Sequence, residues 1–332
     1  MNHGLGPAPL DTTDPGPAIA TTGLTKGYGS VQALAGLTMR VERGEVFGFL
    51  GPNGAGKTTA LKLLLGLAMP TSGTGTVLGA PLGDRRARRH LGNLPELFRY
   101  QPWMRAREVL ALHCSLAGVP RATWPTEISD ALDVVGLTER GDDLVGTFSK
   151  GMQQRLGLGV ALLGRPQLVL LDEPTSALDP VGRQDVRSII RGLRERGVAV
   201  FVNSHLLAEI ERVCDRVAIV DRGRVVAAGT LDELLAVRAV RVRVTGLGPV
   251  ELARLERFGP LATDGDWLAA ASVPPDEVPD LVAAIVAAGG RVHAVEQRRE
   301  TLEERFFSLV ARNASREAAA RSAPGRPVAP PP

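Results

Sequence analysis

The octapeptide Gly51-Pro52-Asn53-Gly54-Ala55-Gly56-Lys57-Thr58 constrains this chain more than any other stretch. It fits the pattern G-x-x-x-x-G-K-[ST] and stands between an apolar run at 45–50 with strand character and a leucine-rich stretch at 59–68 with helix character. A strand that passes through a glycine-rich turn into a helix leaves backbone N–H groups free to face phosphate oxygens, at a helix end whose dipole favours negative charge. A plain strand-to-helix turn needs only one or two of these glycines and gives Lys57 no task. Lys57 is therefore expected to pair with the β- and γ-phosphates of a nucleotide, and the Thr58 hydroxyl to ligate Mg²⁺. The nearly all-round apolarity of 59–68 predicts a buried helix.

Residues 19–50 read as strands with a polar turn at 26–30. From about 103 to 159 the pattern is helical, with apolar spacing at Val109, Leu112 and Leu116 and again at Ile128, Leu132 and Val135. An apolar strand at 167–171 follows, then a helix capped by Asp179 and opened by Pro180, with Val186, Ile189, Ile190 and Leu193 on one face. A strand at 198–202 and a hairpin turn at Arg222-Gly223 close this core near residue 235. The order predicts an α/β fold: a phosphate-loop core with a mainly parallel, mixed sheet and a helical subdomain inserted at about 97–160.

Val240, Val242 and Val244 alternate with Arg241 and Arg243 like a half-buried strand. They open a small C-terminal α/β domain, expected at 237–311, that continues as helix, strand, helix and strand to residue 295. It closes on an amphipathic helix carrying Leu302, Phe306, Leu309 and Val310. The main domain is expected at 19–236, between a disordered leader at 1–18 and a disordered, proline-rich tail at 312–332.

A chain of 332 residues with 44% hydrophobic side chains can bury a sizeable core. Aromatic residues, at 4%, are too scarce for the stacking platforms of single-stranded nucleic-acid binders, and a formal charge of +3 is too small for an electrostatic footprint. No nucleic-acid partner is expected. The local run Arg85-Arg86-Ala87-Arg88-Arg89 reads as a solvated face. Cys114 and Cys214 lack metal-ligand spacing and fit a reduced compartment. Apolar runs such as 168–171 and 281–288 are far shorter than the roughly 18 to 20 residues that cross a bilayer, and 1–17 has no basic-then-apolar signal pattern, so a cytoplasmic location is expected.

Leu168-Val169-Leu170-Leu171-Asp172-Glu173 ends an apolar strand in two adjacent acids, at the sheet edge where α/β proteins bind ligands. Beside a phosphate loop, Asp172 would hold Mg²⁺ through water and Glu173 would polarise the attacking water. Phe148-Ser149-Lys150-Gly151-Met152-Gln153-Gln154-Arg155 resembles the signature sequence of ABC ATPases, an element that nucleotide kinases and GTPases lack. The chain resembles that family over roughly residues 19–235.

The resemblance implies that the signature opens a helix and reaches across a dimer to the γ-phosphate of the partner's ATP. Ser149 and Gly151 fall on the family's positions, while Lys150 replaces a usual glycine and Met152 a usual glutamine. It also implies that Tyr28 stacks on adenine and that Ser176-Ala177-Leu178-Asp179 couples the two sites, with Asp179 close to nucleotide. By the same resemblance His205 matches the switch histidine that contacts γ-phosphate, and Thr59 would join residues 51–58 in holding the nucleotide. Glu96 stands where the family carries a glutamine that contacts Mg²⁺; a carboxylate can still ligate the ion.

That substitution, the Ser-Lys-Gly-Met signature, the appended C-terminal unit and Thr301-Leu302-Glu303-Glu304-Arg305-Phe306-Phe307 are similar to ATPase subunits of bacterial drug exporters of the daunorubicin-resistance kind. The resemblance implies an ATP- and Mg²⁺-dependent ATPase with Glu173, His205 and Lys57 catalytic. Its partners are a second ATPase subunit, as a homodimer, and a separately encoded integral-membrane permease, at the inner face of the cell membrane. The alternative is a soluble regulatory ABC ATPase not coupled to transport. Translation-factor relatives carry two cassettes and DNA-repair relatives a long coiled coil, and neither is present in the sequence.

Overall fold

The computed structural model describes residues 16–176, 178–235, 237–271 and 273–322. Most of the expected leader, the residues of the expected tail from 323 on, and Ala177 lie outside the described residues. The chain divides into two compact units, one holding the chain up to Leu231 and again from Leu309, the other Asp232–Ser308.

The first unit opens with β1 (Ile19–Tyr28), β2 (Val31–Val41) and β3 (Val46–Leu50). After the phosphate loop come α1 (Lys57–Leu64), β4 (Ser72–Val77), β5 (Ala80–Pro81), α2 (Arg85–Arg88) and β6 (Leu91–Leu94). A helical block follows, α3 (Ala106–Ala117), α4 (Trp124–Val134) and α5 (Lys150–Ala161). The chain then returns to the sheet through β7 (Leu168–Asp172), α6 (Pro180–Glu195), β8 (Ala199–Asn203), α7 (Leu207–Val213) and the hairpin β9 (Arg216–Asp221) and β10 (Arg224–Thr230).

Two sheets result. One is antiparallel in the order β2-β1-β4-β5; the other runs β10-β9-β3-β8-β7-β6, parallel except for the β9–β10 pair. In β3, β7 and β8 every residue is buried, the signature of strands covered on both faces. Phe47, Phe49 and Phe201 stack at their centre with ring centroids 5.9 and 5.3 Å apart. All phosphate-side strand ends therefore project from one rigid slab.

Several elements differ from the sequence reading. The leucine-rich helix covers 57–64 instead of 59–68, because Gly66 turns into the left-handed region and the Leu67 and Ala68 N–H groups close onto the Lys62 carbonyl. Leu67 beyond it is 69% exposed. In α3 the buried face is Ala106, Val109, Leu110 and Cys114, whereas Leu112 and Leu116 face outward. Helical spacing permits both faces, and packing selects the one whose small residues let α4 and α5 approach. The basic run does form a solvated helix, with Asp84 capping α2 and Ala87 its buried residue.

In the second unit, α8 (Leu231–Leu234) leads to β11 (Val237–Thr245), α9 (Pro249–Leu255), β12 (Leu261–Asp264), β13 (Trp267–Ala271), α10 (Val278–Ala287) and β14 (Arg291–Arg299). The expected single strand after α9 is a hairpin, so the sheet is antiparallel in the order β12-β13-β11-β14. Val240, Val242, Leu268 and Ala270 form its core with Leu255, Leu281 and Ile285 from α9 and α10. The last helix, α11, is Leu302–Ser322, so residues 312–322 are helical where the sequence reading has a disordered tail. Their composition, rich in Ala and Arg, favours helix, and the prolines begin only at Pro324. Within the first unit, Asn313 of α11 donates to Asp221 at 2.7 Å.

Candidate active site

The loop between β3 and α1 is held by its neighbours' backbone. A side chain at Gly51 would place Cβ 2.4 Å from the Val220 carbonyl oxygen, and one at Gly56 2.4 Å from that of Ala33, so both approaches need glycine. Gly56 sits at φ 101° and starts α1, whose first turn has no acidic residue and no side-chain cap. The turn after β9 backs the loop: Gly223 N–H donates to the Ala55 carbonyl and Ala35 N–H to the Gly223 carbonyl, each at 2.9 Å.

Lys57 is buried and its ammonium folds back on the loop, donating to the Gly51 carbonyl at 2.7 Å and the Pro52 carbonyl at 3.2 Å. Burial lowers its pKa; the nearby carboxylates of Glu173, Asp172 and Glu96 oppose that shift. Pro52, Asn53, Gly54 and Ala55 form the loop crest, with Asn53 and Gly54 exposed, Ala55 buried, and Thr58 and Thr59 in the first helical turn.

Asp172 and Glu173, each 8% exposed, leave the end of β7 beside this loop. Burial raises the pKa of Asp172; a hydrogen bond from Asn203 Nδ2 to Asp172 Oδ1 counters it, and the charges of Glu96 and Glu173 add to the rise. Glu173 adopts φ 52°, a left-handed conformation uncommon outside glycine. The conformation is fixed from both sides: Glu173 N–H donates to the Asn203 carbonyl at 2.8 Å, and Glu173 Oε2 meets His205 Nδ1 at 2.7 Å. Ser204 Oγ lies 3.5 Å from the same carboxylate oxygen. His205 itself keeps a 57% exposed side chain. The structure thus gathers Lys57, Asp172, Glu173 and His205 at one end of the sheet, with Glu96 close enough to act on Lys57 and Asp172 by charge.

This donor set suits Mg²⁺. The ion is commonly held by one or two carboxylates together with substrate phosphates and water, not by an all-protein cage. Asp172 offers a buried, hydrogen-bonded carboxylate, Thr58 an exposed hydroxyl and Glu96 an exposed carboxylate, while no group of three or more His, Cys, Asp or Glu side chains among the described residues forms a closed metal cage.

The remaining predicted residues stand apart. Ser149 caps α5, its Oγ accepting from Met152 N–H at 3.2 Å, and Asp179 caps α6, accepting from Gly182 N–H at 2.7 Å. A methyl built on Gly151 would meet only Ser149 Oγ, at 3.9 Å, so nothing among the described residues of the chain demands glycine there. Tyr28 ends β1, 48% exposed, with the Lys26 ammonium 5.0 Å from its ring centroid. No hydrogen bond or ion pair among the described residues joins Tyr28, Ser149, Gly151 or Asp179 to the Lys57–Glu173 group.

Sequence reasoning missed the residues that brace the site. Asn203 is one, and its signal was a polar residue ending an otherwise apolar strand. Gln154 is another: from the second turn of α5 its amide donates to the Pro174 carbonyl at 2.9 Å, tying the signature helix to the loop after Glu173. A third brace is the pair of hydrogen bonds from Arg187 Nη1 of α6 to both oxygens of Glu209 on α7, at 3.1 and 2.9 Å.

The sequence profile of the ABC transporter family matches residues 34–176. The chain is 37% identical over 319 residues to an uncharacterized ABC transporter ATP-binding protein of Nostoc sp. strain PCC 7120, across 91% of this chain and 92% of that protein. It is 40% identical to the bacitracin transport ATP-binding protein of Bacillus licheniformis, across 65% of this chain and 71% of that one. To the Nod factor export ATP-binding protein I of Rhizobium sp. strain N33 it is 33% identical, across 89% and 97%. Among solved structures, an ATP-binding subunit of an ABC transporter superposes with a TM-score of 0.59 at 32% identity, covering 65% of this chain and 91% of that one. The phosphate loop, the paired acids and the likenesses to the Nostoc and Rhizobium proteins over nearly the full length agree: the chain belongs to the ABC transporter ATP-binding proteins, ATPases that hydrolyse ATP to power transport.

Proposed function

We propose that this chain is the ATP-hydrolysing subunit of an exporter for antibiotics or other lipophilic compounds, working as a dimer with a separate membrane permease at the inner face of the cell membrane. The observation that carries the reading is the contact between Glu173 and His205, 2.7 Å apart beside the phosphate loop. The carboxylate is the group to accept a proton from water attacking the γ-phosphate, and the backbone bond to Asn203 together with the side-chain contact to His205 sets its direction. His205, with a 57% exposed side chain, would be free to contact the γ-phosphate.

Lys57 neutralises β- and γ-phosphate charge, and its release from the Gly51 and Pro52 carbonyls accompanies nucleotide entry. Mg²⁺, held by Thr58, Asp172 and Glu96, would supply charge neutralisation on the same phosphates. Ser149, Gly151 and Asp179 would serve the site of a second copy. The open space at Gly151, and the lack of any hydrogen bond or ion pair among the described residues from these three to the Lys57 group, support that assignment. The likeness to a Nod factor export protein supports export as the direction, and the likeness to a bacitracin transport protein supports an antibiotic as the cargo.

The test is Glu173→Gln. The amide keeps the size of the side chain but cannot act as a base, so the variant should bind ATP, hydrolyse it at well under a hundredth of the wild-type rate, and dimerise in ATP but not without it. Light scattering reads the mass. An ATP-saturated variant that stays monomeric would favour the regulatory ATPase instead.

A further inference from the structure

Asn203 ends β8 and is 2% exposed. In the parallel pairing of β7 with β8 it stands opposite Asp172, and in that of β3 with β8 opposite Phe49, so it is enclosed between two central strands. Its amide Nδ2 donates to Asp172 Oδ1, the one hydrogen bond that the Asp172 carboxylate makes among the described residues. Its backbone carbonyl accepts from Glu173 N–H at 2.8 Å. One residue thus holds the side chain of the first acid and the backbone of the second.

The amide is a costly choice on packing grounds. Asn203 Oδ1 is buried with no hydrogen-bond partner among the described residues, and an unpaired buried carbonyl opposes folding. A leucine or valine would fill the position without that defect, as the other residues of β8 do. What an apolar side chain lacks is the N–H donor to Asp172.

We infer that Asn203 is a positioning residue for the metal-binding carboxylate: its amide fixes Asp172 Oδ1, giving the carboxylate one orientation and leaving Oδ2 as the oxygen available to Mg²⁺ and its water. The inference rests on the reading of Asp172 as a metal-holding residue. Groups that orient a metal ligand from behind commonly account for about 10- to 100-fold in metal affinity.

The experiment titrates Mn²⁺ into the full chain saturated with a non-hydrolysable ATP analogue, with free Mn²⁺ read by electron paramagnetic resonance. The variants are Asn203→Leu, Asn203→Val as a second apolar replacement, and Asp172→Ala. The apolar variants should weaken Mn²⁺ binding at least tenfold. Removing Asn203 relieves the unpaired Oδ1 but leaves the buried Asp172 oxygen without its donor, so their melting temperature should fall by only a few degrees, while their affinity for the analogue in EDTA should stay at wild-type level. Asp172→Ala should weaken Mn²⁺ binding further. If Asp172→Ala leaves Mn²⁺ affinity unchanged, the metal reading itself fails. If Asp172→Ala weakens it and neither Asn203 variant does, the metal reading stands and the positioning role is overturned. Loss of metal-free nucleotide affinity in step with melting temperature would make Asn203 a structural residue only, which also overturns the inference.

Discussion

Lys57 braces the loop, and in the proposed function the same side chain serves the loop's ligand. Its ammonium, donating to the carbonyls of Gly51 and Pro52, closes the glycine turn on itself, while burial weakens its hold on the proton and three carboxylates offset that only in part. A phosphate oxygen arriving at the loop competes with two neutral carbonyls and adds ion–ion attraction to the hydrogen bond. Lys57→Ala should therefore lower ATP affinity by at least about a hundredfold, since hydrogen bonds to charged groups contribute roughly 1.5–3 kcal/mol each and more than one is lost. Fluorescent-nucleotide titration measures it. Because the two carbonyl contacts also vanish, the melting temperature of the variant without nucleotide separates a disordered loop from a loop that has lost only its cation.

At the scale of elements, α6 and α7 are joined by the Arg187–Glu209 pair, with side chains 14% and 11% exposed. His205 lies just ahead of α7, and Asp179 caps α6, so this pair fixes two of the segments that flank the site. Removing one partner leaves a largely buried charge unmatched: Arg187→Leu should destabilise the first unit by about 3 kcal/mol, and the double replacement with Glu209→Leu should recover most of that loss. Urea unfolding of the three variants gives the coupling energy. The apolar character of β7 and β8 and the Asp179-Pro180 cap were plain in the sequence, because burial on both faces and capping chemistry are local properties. The Arg187–Glu209 and Asn203–Asp172 contacts were not. They join residues 22 and 31 positions apart that look like ordinary surface and strand-end polar residues until the sheet order sets them side by side. The same limit explains α3, where two helical faces fit the spacing and only the neighbours choose between them, and α1, where Gly66 ends a helix that apolarity alone would extend.

For the whole molecule, the decisive fact is that each of its two units encloses its own buried cluster among the described residues. Phe47, Phe49, Phe201 and the leucines of α1 belong to one; Val240, Val242, Leu268, Leu281 and Ile285 belong to the other, and the phosphate loop and both acids lie wholly in the first. Each core is enclosed by its own sheet and helices, so each unit has the means to unfold as a cooperative body. Ligand bound to one folded body raises the stability of that body by RT ln(1 + [L]/Kd), about 2.7 kcal/mol at a hundredfold excess over Kd, and leaves an uncoupled body unchanged. Mg-ATP added to the Glu173→Gln chain, which does not consume it, should therefore shift one calorimetric transition upward by several degrees while a second stays in place. The three tryptophans assign them, because Trp103 and Trp124 report on the first unit and Trp267 on the second. With Trp103 and Trp124 replaced by Phe, the fluorescence melt of Trp267 should be insensitive to nucleotide. A Trp267 transition that moves with ATP in step with the first would show that the nucleotide site and the C-terminal unit are energetically one, and that occupancy of the phosphate loop is communicated to a domain that carries none of the hydrolytic groups.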